Sequence, residues 1–462
     1  MLAFVIFGKM LQLAGGTQFL NDLALACVGH KQGGSAKVSI IASSLFGSMS
    51  GSTVGNIMST GVVTIPMMKR AGFRAEVAAA IEAVSSNGGQ LMPPVMGTTA
   101  FIIAEFLARP YTEVVLAALL PALLYYLTLF LTVDAIAKSS GIQGVPKSQL
   151  PALGGTLAAG WVFLIPLGIL IYLLFWAAFN PGRAALYATG ALLLLIVVKQ
   201  LGTWMAGSLR RPAHPLPRDD AREDARRGHS DGTPVRHVMS GCTRFLTGAG
   251  TDLIPLLLIG GAAGLIIGVM NSTGFAFQLS LLLTEVAESY GLFVMLVATA
   301  LLCIVLGLGM PTAAVYIVVV TVIAPTLIDL GMAPLAAHMF LFYFGLMSML
   351  TPPVAIGSMV AASVAKADMW KTGKVAVWMG LSAYLLPFLW AFNPAVLAIG
   401  SWSQIVLATL TGLAGAILLG RSMAHPGPGY RMLYLALALI VGSATIWIHT
   451  DNWLALAPAA LA

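Results

Sequence analysis

The chain has 462 residues, of which 58% are hydrophobic and only 9% are charged, and its mean hydropathy is +0.91. A soluble domain carries about 25% charged residues, so this chain has too few polar side chains to cover a surface in water. The formal net charge of +7 does not indicate nucleic-acid binding, because no basic stripe alternates with aromatic residues. The composition therefore excludes a soluble globular protein and predicts an all-α polytopic membrane protein.

Apolar runs predict where the chain crosses the bilayer, since about 20 apolar residues span it. Runs of this length lie at 112–133, 157–179, 184–206, 251–270, 290–308, 311–331, 375–398, 401–420 and 431–449. Shorter or interrupted apolar segments lie at 36–50, 53–68, 76–91, 93–108, 333–350 and 353–365. These interrupted segments form two clusters. Irregular backbone at membrane depth is tolerated only where it is buried in protein or lines a cavity, so the clusters indicate functional regions.

One long polar region, residues 208–247, separates two membrane halves. It is rich in Pro and charged residues and has no hydrophobic period, which predicts a disordered linker. Its excess of Lys and Arg predicts a cytoplasmic location. The predicted organisation is a first half over 1–207 with breaks at about 36–108, a second half over 248–398 with breaks at about 307–365, and a C-terminal pair of spans over 399–462.

The two halves repeat the position of their breaks. The interval from Ser52 to Pro93 in the first half equals the interval from Pro311 to Pro352 in the second. Interrupted helices at corresponding positions of two halves are typical of secondary transporters, in which the interruptions form the binding site. The sequence therefore predicts a carrier built from two repeats, each with hairpins and broken helices.

The first break of the first half is the run GSMSGST at 47–53. Ser50 and Ser52 supply hydroxyl oxygens, and Gly51 permits turns that other residues avoid. Asn56, one turn later, adds an amide suited to orient a carbonyl or to contact a substrate. Carbonyls with nearby hydroxyls bind dehydrated Na⁺, and helix N termini favour anions. Small residues also serve close helix packing, but a run this rich in Gly and Ser favours a functional hairpin tip.

Double prolines mark the second break of each half. SSNGGQLMPP places Gly88, Gly89 and Gln90 before Pro93. Proline lacks an N–H group and clashes with the preceding turn, so free carbonyls are predicted near Gly89 and Gln90. A kink that serves only packing is the alternative, and it is disfavoured because the double proline occurs twice. The same reasoning applies in the second half to Met310, Pro311 and Thr312 and, at its double proline, to Thr351 and Pro352.

Intramembrane charges are functional candidates by default. Glu82 lies about one turn before the SSNGGQ break. The sequence allows two roles for it: it binds a proton or cation during transport, or it forms an ion pair with a basic residue near an interface. Glu105 follows the MPP break, and Arg109, four residues later, favours an ordinary helical ion pair. His338 is expected to be a hydrogen-bonded packing histidine rather than a proton carrier.

Enzyme hypotheses find little support in the sequence. There is no GxxxxGK[ST] phosphate loop and no HExxH pair, and GSMSGS does not match the G-x-S-x-G elbow. A channel would show one pore-lining pattern repeated by an oligomer, whereas this chain carries duplicated breaks within itself. No cofactor and no transition-metal site are predicted.

The quoted breaks carry a family resemblance. Residues 43–107, with 307–331 and 338–363, resemble the large membrane subunit of TRAP (tripartite ATP-independent periplasmic) transporters, over about residues 1–395. GGQLMPPVMG is similar to the fused permeases that work with TAXI-type binding proteins. The resemblance implies a multi-pass, elevator-type carrier of the bacterial inner membrane that is driven by a sodium gradient. It also implies a periplasmic binding protein that delivers a small organic acid, and a small membrane subunit or fused equivalent.

The resemblance also assigns the cation and substrate sites to the breaks. By this resemblance the site residues are Ser50, Gly51, Ser52, Asn56, Gly88, Gly89, Gln90, Pro93, Gly309, Met310, Pro311, Thr312, Thr351 and Pro352, with Na⁺ as the coupling ion. Fused members have more spans before this region, so a longer chain or a separate polypeptide is expected to supply them. The alternatives are a proton-coupled anion carrier without a binding protein, in which Glu82 or Glu105 carries the proton, and, outside carriers, a channel or an intramembrane enzyme.

Overall fold

The computed structural model describes residues 2–177, 179–209, 272–424 and 428–447, with isolated residues between 250 and 270. These residues form helices and no strands. Six helices among them are long and apolar enough to cross a membrane: Tyr111–Ser139, Lys147–Phe175, Pro181–Lys199, Thr312–Asp329, Met369–Phe392 and Trp402–Ser422. The prediction of an all-α polytopic membrane protein is confirmed.

The first half begins with α1 and ends with α10. Its helices are α1 (Leu2–Leu13), α2 (Gly16–Val28), α3 (Gly34–Ser50), α4 (Thr53–Asn56), α5 (Val62–Arg70), α6 (Ala75–Gly88), α7 (Thr98–Phe106), α8 (Tyr111–Ser139), α9 (Leu153–Phe175) and α10 (Pro181–Leu209). A π-helical turn, Ile57–Gly61, joins α4 to α5. The predicted linker at 208–247 and the predicted span at 251–270 fall largely outside the described residues.

The described helices of the second half follow the same plan. They are α11 (Phe275–Tyr290), α12 (Leu292–Leu306), α13 (Thr312–Asp329), α14 (Pro334–Met347), α15 (Ile356–Ala365), α16 (Met369–Met379) and α17 (Leu381–Phe392), followed by α18 (Trp402–Ala424) and α19 (Pro428–Trp447). The C-terminal pair α18 and α19 packs side by side.

The backbone turns of the two halves correspond. Each described residue of the first half that has a positive φ has a positive-φ counterpart in the second half, at an almost constant distance along the chain. The pairs are Gly15 and Gly274, Gly33 and Gly291, Gly51 and Gly309, Gly72 and Gly331, Met96 and Ala355, Ala108 and Lys366, and Gly141 and Gly400. Left-handed residues are uncommon, so this correspondence shows the internal repeat that the equal spacing of the breaks predicts. The double prolines Pro93–Pro94 and Pro352–Pro353 occupy matching places in it, and each has a cis peptide bond.

Each repeat contains a helical hairpin followed by a broken helix. In the first repeat, α3 packs against α5 in a hairpin, and the next helix is interrupted between α6 and α7. In the second repeat, α12 and α13 form the hairpin, and the interruption lies between α14 and α15. The two repeats interlock, because α15 packs on α4, α5 and α6, whereas α7 packs on α13 and α14.

Packing divides the chain into two units. One unit comprises residues 17–159 and 257–462 and contains both repeats with all candidate site residues. The other comprises residues 2–16 and 160–256, in which α1 packs on α10. All candidate site residues therefore lie in the first unit.

Candidate functional site

The tip of the first hairpin is formed by Gly51 and Ser52. Gly51 has a φ of +61°, and its N–H donates to the carbonyl of Gly47 at 2.9 Å, which ends α3. Ser52 is extended, and its hydroxyl oxygen accepts the N–H of Gly55 at 3.1 Å, as an N-cap does at the start of a helix. One helix ends and the next begins within this short turn, so the structure has the hairpin tip that GSMSGST predicts.

Close contacts between glycines place this tip against the broken helix. A Cβ atom on Gly51 would lie 2.6 Å from the Cα of Gly97, and one on Gly47 would lie 2.6 Å from the Cα of Gly89. Real Cβ atoms do not approach backbone so closely, so only glycine fits at these positions. The predicted residues Gly51 and Gly89 therefore bring the two breaks of the first repeat together.

A chain of polar side chains continues this contact into the second repeat. The amide of Gln90 donates to the hydroxyl of Thr53 at 2.7 Å, and that hydroxyl donates to Asn87 Oδ1 at 3.0 Å. Asn87 Nδ2 in turn donates to the carbonyl of Leu346 at 3.3 Å. Gln90 was among the predicted site residues, whereas Thr53 and Asn87 were not, although both lie inside the quoted motifs.

Asn56 holds the two arms of the first hairpin together. Its Nδ2 donates to the carbonyl of Ser43 at 2.8 Å, and its Oδ1 lies 3.1 Å from the hydroxyl oxygen of Thr60. The sequence allowed Asn56 either to orient a carbonyl or to contact a substrate, and its hydrogen bond to Ser43 favours the first role. Thr60 lies in the π-helical turn, a feature that is frequent at functional sites.

Two residues that lie close to Gly51 and Gly97 along the chain have buried hydroxyl groups without a hydrogen-bond partner among the described residues. They are Ser50 and Thr99. The carbonyl oxygen of Gly51 and Oε1 of Gln90 both lie close to Gly97, at 3.2 and 3.4 Å from an added Cβ. A buried polar group without a partner costs about 1–3 kcal/mol, so the hydroxyls of Ser50 and Thr99 are candidates for contact with a bound ligand. Sequence reasoning missed Thr99, whose signal is the Thr pair that follows the PPVMG break.

Tyrosines of α8 bind the backbone around the second break. Tyr125 donates to the carbonyl of Val84 at 2.6 Å, and Tyr126 donates to that of Ser85 at 2.8 Å. Free carbonyls are predicted near Gly89 and Gln90, and the carbonyl of Gly89 is not free, because it accepts the N–H of Met92 at 3.3 Å in a tight turn. The tyrosines bind carbonyls about one turn earlier, within α6.

The far side of the same break is bound in a similar way. The hydroxyl of Tyr111, at the start of α8, donates to the carbonyl of Val95 at 2.5 Å and lies 3.1 Å from that of Pro94. Gly88 is also pressed against α8, since an added Cβ would lie 2.2 Å from Tyr125 Cε1. The loop that begins near Pro93 is therefore fastened at both ends to one long helix.

The second repeat has a comparable but less polar arrangement. Gly309 has a φ of +80°, and the N–H of Met310 donates to the carbonyl of Gly307 at 3.3 Å, so the tip turns before Pro311 caps α13. Thr312, the first residue of α13, is buried.

The hydroxyl of Thr351 lies 2.8 Å from that of Tyr384, which corresponds to Tyr125 by the same offset that relates Pro352 to Pro93. It also donates to the carbonyl of Met347 at 2.8 Å. Pro352 lines an open pocket with Trp370 and neighbouring residues. The two repeats are in contact near this break, because a Cβ on Gly357 would lie 3.1 Å from Thr53 Cγ2.

The two candidate glutamates have different surroundings. Glu82 is fully buried and accepts hydrogen bonds from hydroxyl groups. Glu105 is exposed, and its predicted ion pair with Arg109 is wrong, since Arg109 lies 3.4 Å from Glu113 instead. The physical reason is that α7 ends at Phe106 and the chain then turns, with φ of +48° at Ala108. His338 lies buried, 2.6 Å from the hydroxyl of Tyr316, as a packing histidine does.

Paired hairpins and broken helices in a polytopic helical protein define the class of secondary transporters. Residues 1–405 match the family described as "Tripartite ATP-independent periplasmic transporter, DctM component". The chain therefore belongs to this family and is the large permease subunit of a TRAP transporter, not an enzyme. TRAP large permeases work with a periplasmic binding protein and a small membrane subunit.

Named relatives agree with this assignment. The chain is 24% identical over 407 residues to the C4-dicarboxylate TRAP transporter large permease protein DctM of Pseudomonas aeruginosa. The aligned region covers 86% of this chain and 85% of the relative. It is 23% identical to the protein of the same name from Vibrio cholerae, over 82% of this chain and 80% of the relative. It is 29% identical to the sialic acid TRAP transporter permease protein SiaT of Haemophilus influenzae, over 43% of this chain and 32% of that protein.

Proposed function

We propose that this permease imports a small organic acid across the bacterial inner membrane, driven by the sodium gradient. The acid is delivered by a periplasmic binding protein. The motif GGQLMPPVMG, which is similar to permeases that work with TAXI-type binding proteins, favours a binding protein of that type. The observation that carries sodium coupling is the pair of buried hydroxyls of Ser50 and Thr99, which lie close along the chain to the contact of the hairpin tip with the broken helix and have no hydrogen-bond partner among the described residues. Such oxygens, with carbonyls released at helix breaks, are the ligands of Na⁺ in carriers.

In the first repeat, Na⁺ would be held by the hydroxyls of Ser50 and Thr99, the carbonyl of Gly51 and the amide oxygen of Gln90. In the second repeat we place the site at Thr312, the counterpart of Thr53, with the backbone of Gly309 and Met310. When bound, Na⁺ supplies positive charge close to the tips, where α4 and α13 begin. Helix N termini favour anions, so a carboxylate substrate would lie between the two tips.

The names of the relatives indicate which substrate class to test. The Pseudomonas protein that matches over 85% of its length is named for C4-dicarboxylates, so a C4-dicarboxylate such as succinate is the first substrate to test. The interlocked repeats are suited to move as one body against the rest of the transporter, which is the elevator mechanism. The small membrane subunit, or a fused equivalent, would complete the part that stays fixed.

Thermal unfolding of the detergent-purified chain tests the sodium site without knowledge of the substrate. A ligand that binds only the folded state stabilises it by about 2.7 kcal/mol at about 100 times its Kd. We expect NaCl to raise the unfolding temperature relative to equal KCl. Thr99→Val should abolish this rise and yet unfold no earlier than the wild type in KCl, because it removes an unpartnered buried hydroxyl.

The matched control is Thr189→Val in α10, whose hydroxyl donates to its own helix at 2.7 Å. This variant should keep the sodium response. The proposal would be contradicted if NaCl and KCl changed the unfolding temperature of the wild type equally. It would also be contradicted if the sodium-specific rise persisted in both Ser50→Ala and Thr99→Val. Uptake of radiolabelled succinate by liposomes that contain the permease, small subunit and binding protein then tests transport, which should require an inward sodium gradient.

A further inference from the structure

Two loops that belong to different repeats meet at one end of the first packing unit. Nζ of Lys69, near the end of α5, donates to the carbonyl of Ala365, the last residue of α15, at 2.7 Å. One loop joins α5 to α6, and the other joins α15 to α16. These loops and the first two turns of α16 carry six exposed basic residues, the basic patch: Lys69, Arg70, Arg74, Lys366, Lys371 and Lys374.

The basic patch has little negative charge beside it. The same two stretches of chain contain two acidic residues, Glu76 and Asp368. Glu76 lies 3.8 Å from Arg74, and Asp368 accepts the backbone N–H of Lys371 at 2.7 Å as the N-cap of α16. The other basic side chains of the patch enter no ion pair among the described residues. The patch therefore presents an excess of positive charge at the surface.

The fold itself does not require this charge. The offsets that relate the positive-φ residues of the two halves also give the counterpart of each residue in the basic patch. None of these counterparts is Lys or Arg. They are Ile328, Asp329, Ala333, Ala108, Thr112 and Val115. The corresponding turns are thus built without basic side chains, so turn chemistry does not account for the patch.

The basic patch lies where apolar helices end. α16 opens the stretch Met369–Phe392, which is long and apolar enough to cross a membrane. Trp370, in its first turn, is 55% exposed, and Met369 is 46% exposed. Tryptophan is enriched where a membrane meets water, and basic residues that flank spans concentrate on the cytoplasmic side. The patch therefore combines exposed cations with exposed apolar side chains at a membrane surface.

A phospholipid with an anionic headgroup matches both features. Clustered Lys and Arg side chains next to a span attract anionic lipids, and the acyl chains of the lipid contact apolar side chains such as Trp370. A soluble phosphate compound offers the charge alone and gains nothing from Trp370 or Met369. A zwitterionic phospholipid offers the apolar contact without a net negative charge.

We propose that the basic patch binds the headgroups of anionic phospholipids in the cytoplasmic leaflet, with Trp370 against the lipid. Lys69 and Arg70 end the first hairpin, whereas Lys366 follows the broken helix of the second repeat. A headgroup bound where these loops meet contacts both repeats. The lipid thereby holds the base of the first hairpin to the end of α15, and its binding depends on neither sodium nor the transported acid.

Fluorescence quenching in nanodiscs tests this proposal on the purified full chain. Buffers contain KCl without sodium or substrate, so failure of the proposed function does not affect the result. The nanodiscs contain phosphatidylcholine with a minor fraction of phosphatidylglycerol. Bromine, which quenches tryptophan on contact, is placed on the acyl chains of that fraction or of an equal fraction of the phosphatidylcholine. We expect stronger quenching by brominated phosphatidylglycerol, and equal quenching by the two lipids would overturn the proposal.

Trp370 is the reporter next to the basic patch. Trp370→Phe should remove most of the difference between the two brominated lipids, because the tryptophan in contact with the bound lipid is then absent. Trp402→Phe, the matched control on α18 with 80% exposure, should keep the difference. A preference for phosphatidylglycerol that is unchanged in Trp370→Phe would place the lipid elsewhere and contradict the proposal.

The charges are tested by combining Lys371→Gln with Lys374→Gln. Neutralising one Lys or Arg at an anionic membrane weakens binding about fivefold, so the double variant should lose at least about tenfold in preference for phosphatidylglycerol. The control combines Arg109→Gln with Arg183→Gln, two exposed basic residues outside the patch, and should keep the preference. An equal loss in both double variants would show a dependence on net charge alone and overturn the assignment to the patch.

Two measurements need only the wild type, and they decide the matter if the double variant does not fold. Raising KCl from about 0.1 to about 1 M shortens the screening length from about 10 to about 3 Å and should abolish the preference. Glycerol phosphate, the soluble analogue of the headgroup, should not compete. A preference that withstands high KCl would contradict an electrostatic site. A preference that glycerol phosphate abolishes at low KCl would show a site for soluble phosphates and also overturn the proposal.

Discussion

Gly51 and Gly97 approach so closely that a single methyl group on Gly51 would lie 2.6 Å from the Cα of Gly97. Gly51 closes the tip of the first hairpin in the left-handed conformation, and Gly97 ends the double-proline break immediately before α7. The contact joins two interruptions that are well separated along the sequence. Its tightness makes the tip sensitive to the smallest substitution.

Gly51→Ala should destabilise the permease by about 2–5 kcal/mol, the sum of a left-handed alanine and an overpacked contact. Denaturation of the purified chain measures the change. Gly141→Ala is the control, since Gly141 has a φ of +65° but open space around its Cα. It should show only the left-handed cost of about 1–2 kcal/mol. Equal losses at both positions would mean that the contact with Gly97 is not tight.

Tyr125→Phe should destabilise the permease by about 1–3 kcal/mol, because it leaves the buried carbonyl of Val84 without its donor. The unfolding temperature in KCl checks this. Tyr172→Phe in α9 removes a hydroxyl from an exposed residue and should change stability little. If the two variants behave alike, Tyr125 does not fasten the broken helix.

The contact of Thr53 with Gln90 should appear as an energetic coupling between the hairpin and the break. In a double-mutant cycle with Thr53→Val and Gln90→Leu, contacting residues couple by about 0.5–3 kcal/mol. The control cycle pairs Thr53→Val with Thr189→Val, two sites in different packing units, and should be additive. Additivity in the first cycle would show that the 2.7 Å hydrogen bond carries no net energy.

Lys37 and Asp134 predict unequal effects of two neutral substitutions. Asp134→Asn leaves the almost fully buried ammonium of Lys37 without a counter-charge and should cost about 3–5 kcal/mol. Lys37→Met should cost less, because Asp134 keeps Lys138 at 2.7 Å. Urea titration of both variants compares the two losses. A greater loss in Lys37→Met would contradict the asymmetry.

Local sequence patterns predicted most of the helices and the breaks, but not α2 or α11. The apolar runs predict the span that the structure has at Tyr111–Ser139, and the Gly and Ser run predicts the hairpin tip at Gly51. Helix length and turn chemistry depend on neighbouring residues, so a single sequence contains them. The predicted pairing of Glu105 with Arg109 was wrong because α7 ends at Phe106, and Pro110, directly after Arg109, is the local signal against a helix there.

The sequence by itself determined that this protein is a polytopic helical carrier with two repeats, because hydropathy and the spacing of Gly and Pro are properties of the linear chain. Only the tertiary structure decided what the polar residues do. It places the hydroxyl groups of Ser39 and Thr64 against the carboxylate of Glu82. It leaves the hydroxyl groups of Ser50 and Thr99 without a hydrogen-bond partner among the described residues. Hydrogen bonds and burial form between segments that are distant in the chain, and their partners are chosen by packing rather than by spacing.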